Sequence, residues 1–418
     1  MEKKQNVPAL RFQGFSGEWS KRTLENMCDI FTDGDWIEAN DQSDTGIRLI
    51  QTGNIGIAEY IDKPEHKKWI SKETFDRLHC TAVLSGDILI SRLPDPAGRA
   101  CIIPELGMEM ITAVDCTIVR VAEEYSKEYL VQYLSTHKYF AEVKNCLAGG
   151  TRQRISRGNL SVFSIPVPTD KTEQDRIGKF FERLDDSINV KKRKIQKLQQ
   201  FRQTMLAKLF PREGAAEPEL RFRGFSGKWH YCRFGDIANI RRGLTYSPSN
   251  LRKSGIRVLR SSNIQEDTFC VREDDVFVEP DAINIPMVKN GDILITAASG
   301  STQLVGKHAV IDGIKGNTVV HGGFMLLASS DYPDFTNALM GASWYRRFIQ
   351  QFVAGGNGAI GNLNKSDLEE QTVLIPDITE IKQIGNFFKE LDRYIFLQQK
   401  KLERMQRLKG ALLEKMFM

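Results

Sequence analysis

Twelve residues near the start of the chain return about 210 positions later with nine of them unchanged: Pro8-Ala-Leu-Arg-Phe-Gln-Gly-Phe-Ser-Gly-Glu-Trp19 and Pro218-Glu-Leu-Arg-Phe-Arg-Gly-Phe-Ser-Gly-Lys-Trp229. Other pairs keep nearly the same offset. Gly46-Ile-Arg48 with Asn54-Ile55 matches Gly255-Ile-Arg257 with Asn263-Ile264, and Gly86-Asp-Ile-Leu-Ile90 matches Gly291-Asp-Ile-Leu-Ile295. Ala148-Gly-Gly150 matches Ala354-Gly-Gly356, and Ile177-Gly-Lys-Phe-Phe-Glu-Arg-Leu-Asp185 matches Ile384-Gly-Asn-Phe-Phe-Lys-Glu-Leu-Asp392. A repeat of this period means one structural unit used twice. Between the anchors the halves diverge, as in Tyr60–Ser85 against Asp267–Asn290. Two related domains doing one job on different targets would look like this; so would surface loops drifting after duplication.

Each half closes on a heptad pattern. The a/d positions run Ile177, Phe181, Leu184, Ile188, Lys191, Ile195, Leu198, Arg202, Met205, Leu209, and Ile384, Phe388, Leu391, Ile395, Gln398, Leu402, Met405, Lys409, Leu412, Met416. The polar breaks fall at equivalent steps, and a 3.5-residue period of this length predicts coiled-coil helices. Two matched seams in one chain supply each other's partner, so antiparallel pairing is expected, with a homodimeric coiled coil as the runner-up. Ile165-Pro-Val-Pro168 and Ile375-Pro376 halt the chain before each helix, and Thr172 or Thr379 is placed to cap the first turn.

The remainder reads as mixed α/β. Strands are expected at Ile47–Gln51, Asp87–Ser91, Cys116–Val121, Arg257–Arg260, Asp292–Thr296 and Phe324–Leu327, with helices near Lys127–Lys144 and Asp334–Val353. The fold class is thus α/β with two globular domains from an internal duplication, separated by two long helices pairing as an antiparallel coiled coil. Domain bounds are 1–170, 171–210, 211–376 and 377–418.

With 418 residues, 41% hydrophobic and 27% charged, the composition is that of a folded globular chain. No apolar span reaches the ~20 residues a membrane helix needs, and the opening Met-Glu-Lys-Lys-Gln-Asn argues against a secretory signal. Seven cysteines without a C-x-x-C pair suit buried thiols in a reducing cytoplasm. The net charge is +5, its excess concentrated in the short segments 171–217 and 377–418.

Catalytic motifs are incomplete wherever they are suggested. Gly300-Ser-Thr-Gln-Leu-Val-Gly306-Lys307-His308 has five residues between its glycines where a phosphate-binding loop has four, and His308 stands where Ser or Thr should reach magnesium. Asp377 and Glu380 with Lys382 superficially suggest a nuclease, but acids favour the first turn of a helix for electrostatic reasons. The six histidines show no metal-ligand spacing, and no adenine-methyltransferase tetrad or nucleophile elbow is present. No catalytic residue, metal site or cofactor site is expected in this chain.

Acid-free windows say more. Ile237–Gln265 carries Arg241, Arg242, Arg252, Lys253, Arg257 and Arg260 without a carboxylate, Val143–Thr169 carries Lys144, Arg152, Arg154 and Arg157 beside Gln153, and Phe335–Ser366 carries Arg346, Arg347 and Lys365 with Asn357, Asn362 and Asn364. Arg with Asn or Gln is the chemistry of base-edge reading, and Lys with Ser or Thr that of phosphate contact. A solvated basic face is the plainer reading of any single window. Together they favour a double-stranded nucleic-acid surface in each half, with two half-sites read at a fixed separation.

The paired Gly-Asp-Ile-Leu-Ile strands, the Gly-Ile-Arg…Asn-Ile segments, the Ile-Pro exits and the Ile-Gly-x-Phe-Phe-x-x-Leu-Asp helix starts closely resemble the specificity (S) subunit of type I restriction-modification enzymes over nearly the whole chain. The resemblance implies two target recognition domains, each binding half of a bipartite DNA site, with the helices setting the gap. It implies two methyltransferase (M) subunits and restriction/motor (R) subunits as partners, with S-adenosylmethionine, ATP and Mg on those partners and none in this chain. The helices, through Phe181, Leu184, Ile188, Phe388, Leu391 and Ile395 and the basic flanks Lys191–Lys194 and Lys400–Lys401, would be the methyltransferase dock. For DNA contact, the loops after the Gly-Asp-Ile-Leu-Ile strands and the acid-free windows nominate Arg92, Arg99, Arg152, Gln153, Arg154, Arg241, Arg242, Gln303, Lys307, Asn357 and Asn362. Three other readings stay open: the specificity subunit of a type II-like bipartite system, a stand-alone bipartite DNA-binding regulator, and a coiled-coil scaffold without a DNA role.

Overall fold

The computed structural model describes residues 6–150, 153–265, 267–316, 318–353 and 362–417. Arg152, Asn357 and the second Ala-Gly-Gly lie outside the described residues. The chain divides into two compact units, residues 1–192 with 401–418 and residues 193–400. Each unit therefore holds one globular domain and a part of each long helix.

In the first unit an antiparallel sheet runs in the order Cys28–Asp33, Cys116–Val121, Ile88–Ser91, Ala100–Ile102. A second sheet, ordered Gln42–Ser43, Lys68–Ile70, Ile47–Ile50, Met110–Thr112, ends on a parallel pair. The second unit repeats both, as Asn239–Arg242, Met325–Ser329, Ile293–Thr296, His308–Val310 and Leu251–Arg252, Val276–Val278, Ile256–Leu259, Val319–His321. It adds a short hairpin, Ile264–Gln265 with Thr268–Phe269.

The Gly-Asp-Ile-Leu-Ile runs are apolar throughout because both faces of the strand are covered. Successive side chains point to opposite faces, so Ile88 and Ile90 join the core shared with the helices, while Leu89 joins a separate core with Cys101, Cys116 and Ile118. Ile293 and Ile295 against Leu294 repeat the division. The glycine makes the preceding turn, with φ +89° at Gly86 and +92° at Gly291. The aspartate fastens it: Asp87 accepts from the Leu84 amide and from two nitrogens of Arg120, and Asp292 accepts from the Lys289 amide, Arg241 and Ser329.

The long helices are Lys171–Leu209 and Ile378–Met416. In the first unit Asp185 faces Lys409 and Phe181 faces Phe417; in the second, Arg202 faces Asp392 and Phe210 faces Phe388. As one sequence number rises the other falls, so the helices pair antiparallel within each unit. Two of the polar breaks in the seam are thereby explained, since Arg202 donates two hydrogen bonds to Asp392 and Lys409 sits 2.6 Å from Asp185. The last turns depart from the heptad reading by one residue. Leu206, Leu209 and Phe210, like Leu413, Met416 and Phe417, turn into the globular cores. Aromatic walls of the globular domains join the facing helix in receiving them: Phe417 lies 5.1 Å from Tyr129, and Phe210 lies 5.9 Å from Trp229.

Other local expectations are corrected. The stretches read as single helices are each two, Lys127–Tyr133 with His137–Asn145 and Pro333–Met340 with Ser343–Val353. Thr136 caps the second helix of the first pair through its hydroxyl. Asp170, not Thr172, caps the first long helix, its carboxylate accepting from the Thr172 amide at 2.8 Å. Phe324 precedes its strand instead of opening it. The glycine-rich segment ends with His308 in a strand. Among the described residues no helix is long and apolar enough to cross a membrane.

Candidate nucleic-acid interface

The repeated motifs are used up in folding. Arg11 grips the buried Glu173 with two nitrogens at 2.6 and 2.7 Å, and Arg221 grips the buried Glu380 at 2.8 and 2.7 Å. These bidentate pairs tie each Leu-Arg-Phe loop to the start of a long helix, which is the structural use of Glu380. Asn54 bonds the Gln51 amide and the Ile61 carbonyl, as Asn263 bonds the Arg260 amide and the Cys270 carbonyl. A side chain at Gly178 would strike the backbone of Glu128 and Tyr129 at about 2.6 Å, so this glycine lets two helices touch. What remains for recognition are the divergent tips.

Windows free of acid in sequence are not free of acid in space. Within Ile237–Gln265, Arg241 pairs with Asp292 at 3.2 Å, Arg252 with Glu279 and Arg257 with Asp275, while Arg260 bonds the Asp274 carbonyl. Acids from neighbouring strands and turns neutralise them. Arg242 and Lys253 stay exposed.

Two nominated arginines turn inward as well. Arg99 spends its guanidinium on the carbonyls of Ile55, Leu93, Pro96 and Thr52, at 2.7 to 3.0 Å, and burial holds its pKa below the ordinary value. Arg92 is 7% exposed, bonds the Val114 carbonyl and lies 3.5 Å from Asp33. Both are loop fasteners: Arg92 is buried, and Arg99, half-buried, has its guanidinium committed to backbone carbonyls. Gln153, Arg154, Arg242, Gln303 and Asn362 are exposed, and Lys307 is half-buried.

Several of these residues sit on one frame that both units share. In the first unit the Arg92 amide donates to the Asp115 carbonyl, the Ile155 amide to the Arg92 carbonyl and the Asp35 amide to the Thr112 carbonyl. In the second, Ala297 donates to Phe324, Leu363 to Ala297 and Leu244 to His321, at 2.7 to 2.9 Å. Tyr139 holds the Gly98 carbonyl and Tyr345 the Gly306 carbonyl, each at 2.9 Å. The frame gathers three loops per unit. Their tips differ: Trp36, Asp115 and Arg154 in the first, Thr245, Phe324 and Asn362 in the second. Arg154 lies 3.8 Å from Asp115, and Asn362 bridges to Ala298.

Trp36 and Phe324 were missed from sequence. Phe324 looks like the first apolar residue of a strand, yet Gly322-Gly323 before it is a turn signal. The helix residues Phe181, Ile188, Phe388 and Ile395 are buried, and Leu184 and Leu391 half-buried, within their own units. Burial takes Phe181, Ile188, Phe388 and Ile395 away from a partner's reach and corrects their nomination as partner contacts, while Leu184 and Leu391 keep part of their surface open. No group of three or more potential metal ligands occurs among the described residues.

A duplicated α/β frame with divergent loop tips, each unit carrying part of both long helices, defines a protein of two related globular units. Residues 16–200 and 226–407 match the family described as type I restriction modification DNA specificity domain. A curated relative, the type I restriction enzyme EcoKI specificity subunit of Escherichia coli (strain K12), is 22% identical over 322 residues, 72% of this chain and 67% of that protein. The solved S subunit of a type-I restriction-modification system from M. genitalium superposes with a TM-score of 0.67 at 14% identity, covering 99% of both chains. A structure concerned with complex assembly and conformational transition of the type I R-M system gives 0.50 at 16% identity, covering 96% of this chain and 97% of that one. At those identities the superpositions speak for the fold. The family match spans most of the chain, and the chain belongs to the type I restriction-modification DNA specificity family, whose members are DNA-recognition components of such systems.

Proposed function

We propose that residues 1–170 and 211–376 are two target recognition domains that each read one half of a bipartite DNA site through the loop cluster of their unit. The observation that carries this is the shared backbone frame with unlike tips, which is what two readers of different half-sites require. Gln153 and Arg154 are the base-reading candidates of the first unit; Arg242, Gln303 and Asn362 are those of the second, with Lys307 beside them for phosphate. The helices, 171–210 and 377–418, fix the gap.

The same helices dock two methyltransferase subunits through apolar side chains that helix pairing leaves exposed. Val190 and Leu408 are exposed in the first unit, and their repeat-equivalents Leu397 and Phe201 in the second. A doubled apolar pair suits two copies of one partner. The chain itself is a non-catalytic recognition subunit in this reading. S-adenosylmethionine chemistry belongs to the methyltransferase subunits, and ATP and Mg chemistry to the restriction/motor subunits. A reducing cytoplasm suits its seven free thiols, with burial pushing Cys28 and Cys101 up to about 12. Family membership favours this reading over the type II-like and stand-alone alternatives.

Methylation mapping of DNA from cells expressing the chain with its methyltransferase subunit tests the proposal. The expected result is an N6-methyladenine motif in two fixed halves around an unspecified gap. No new motif, with the methyltransferase shown to be active, would overturn it.

A further inference from the structure

We infer that Phe324 is a specificity-determining residue of the second unit, an apolar probe that contacts a base of the half-site read there. The inference rests on the DNA-recognition reading above and adds to it a residue and a mode of contact.

Phe324 is 75% exposed, the most exposed of the large hydrophobic residues described. Its backbone is firmly held. The carbonyl accepts from the amides of Ala297 and Ala298 at 2.9 and 3.0 Å, Gly322 donates to Leu259 at 2.8 Å, and Met325 donates back to Gly322 at 2.8 Å. Main-chain bonds make the turn, so the fold does not need the ring. The first unit supplies the control: the same place on the same frame carries Asp115, whose carbonyl makes the equivalent bond to the Arg92 amide. An exposed aromatic that the scaffold can do without calls for a ligand.

The surroundings indicate which ligand. Gly323 lies close to Thr245, and Ala298 bridges to Asn362. The segments 243–247, 297–303, 322–324 and 362–365 bring Thr, Ser, Asn, Gln and Lys365, with Arg242 adjoining; Tyr246 is half-buried against the core, and Asn364 is held to Asp367 at 3.1 Å. A protein interface core would surround the ring with further apolar residues. An exposed ring among hydrogen-bonding groups, with the neighbouring Tyr246 half-buried, instead suits DNA, where polar side chains hold base edges and phosphates. An apolar side chain there covers a thymine methyl or enters beside a base step. Rigid backbone beneath a solvent-facing ring adds little ordering cost on binding.

The test uses the full chain assembled with its methyltransferase subunit, on the bipartite site found by methylation mapping. F324A and F324D are compared with the parent; both leave the turn's main-chain bonds in place, and the second installs the first unit's own residue. The expected result is a loss of about tenfold or more in specific binding and relaxed sequence preference confined to one half-site, with nonspecific binding unchanged in F324A, which alters no charge. Replacing each thymine of that half by uracil, and each adenine by 2-aminopurine, separates a methyl contact from base unstacking; either signal in the parent, lost in F324A, supports the proposal. The same motif with affinity within about twofold of the parent would overturn it, as would equal weakening on both halves. If the parent itself binds no bipartite site, the DNA-recognition reading has failed instead.

Discussion

His321 ends a parallel strand in the second unit at the place where the first unit has Thr112. It is 1% exposed, its Nε2 lies 3.3 Å from the Arg241 carbonyl, and its Nδ1 has no partner. Burial depresses its pKa to about 4. An unfolded histidine takes its proton near pH 6.5, so between those values the unfolded state binds more protons than the folded one. The contribution is complete above pH 6.5 and is lost as pH falls toward 4, amounting to roughly 3 kcal/mol at most. H321T, which installs the first unit's residue, is expected to flatten this acid dependence in urea melts between pH 7 and 4.5. Parallel loss in parent and variant would show that His321 is not its source. At this scale the sequence is a poor guide to charge. Arg92 and Arg99 stand in loops next to a strand, where exposure is the natural expectation, but carbonyls from distant loops close over them. A carboxylate such as Asp275, 18 residues from Arg257, is invisible to a window that counts acids along the chain.

The long helices were legible because a seam leaves a periodic trace, and Phe181, Ile188, Phe388 and Ile395 lie inside where the heptads put them. Their final turns were not, because Leu206 and Leu413 answer to globular cores that no heptad describes. Nor did the sequence reveal what the seam's polar residues face. The Arg202–Asp392 and Lys409–Asp185 pairs fix register, since a slip would strand charges in a largely apolar seam. A double-mutant cycle with R202M and D392L is expected to give a coupling of about 1–2 kcal/mol; additivity within about 0.5 kcal/mol would remove the register role. The spacer role is tested by deleting one matched heptad from each helix, residues 191–197 and 398–404. Seven residues at 1.5 Å make about 10 Å, or about three base pairs at 3.4 Å. Methylation mapping should then return both half-sites unchanged around a gap shorter by about three base pairs. An unchanged gap with full activity would contradict the spacer reading.

At the scale of the molecule, duplication is the organising fact, and it is legible in the match of Pro8–Trp19 to Pro218–Trp229 alone. The motifs that expose it are scaffold: aspartates tying turns, arginines gripping helix starts, glycines allowing close approach. The proposed recognition residues fall in the stretches between, where the halves share the least sequence, so the candidate site was the least legible part. Trp36 and Phe324 occupy adjacent loops of a common frame without sharing a position, and no repeat comparison would pair them. The central claim is that one half of the chain reads one half of a bipartite site. The most direct measurement replaces residues 1–170 with the corresponding residues of another family member and maps N6-methyladenine in cells carrying the chimera and the methyltransferase subunit. One half of the motif should change while the other half and the gap stay fixed. A change in both halves, or in neither, with methylation intact, would contradict the claim.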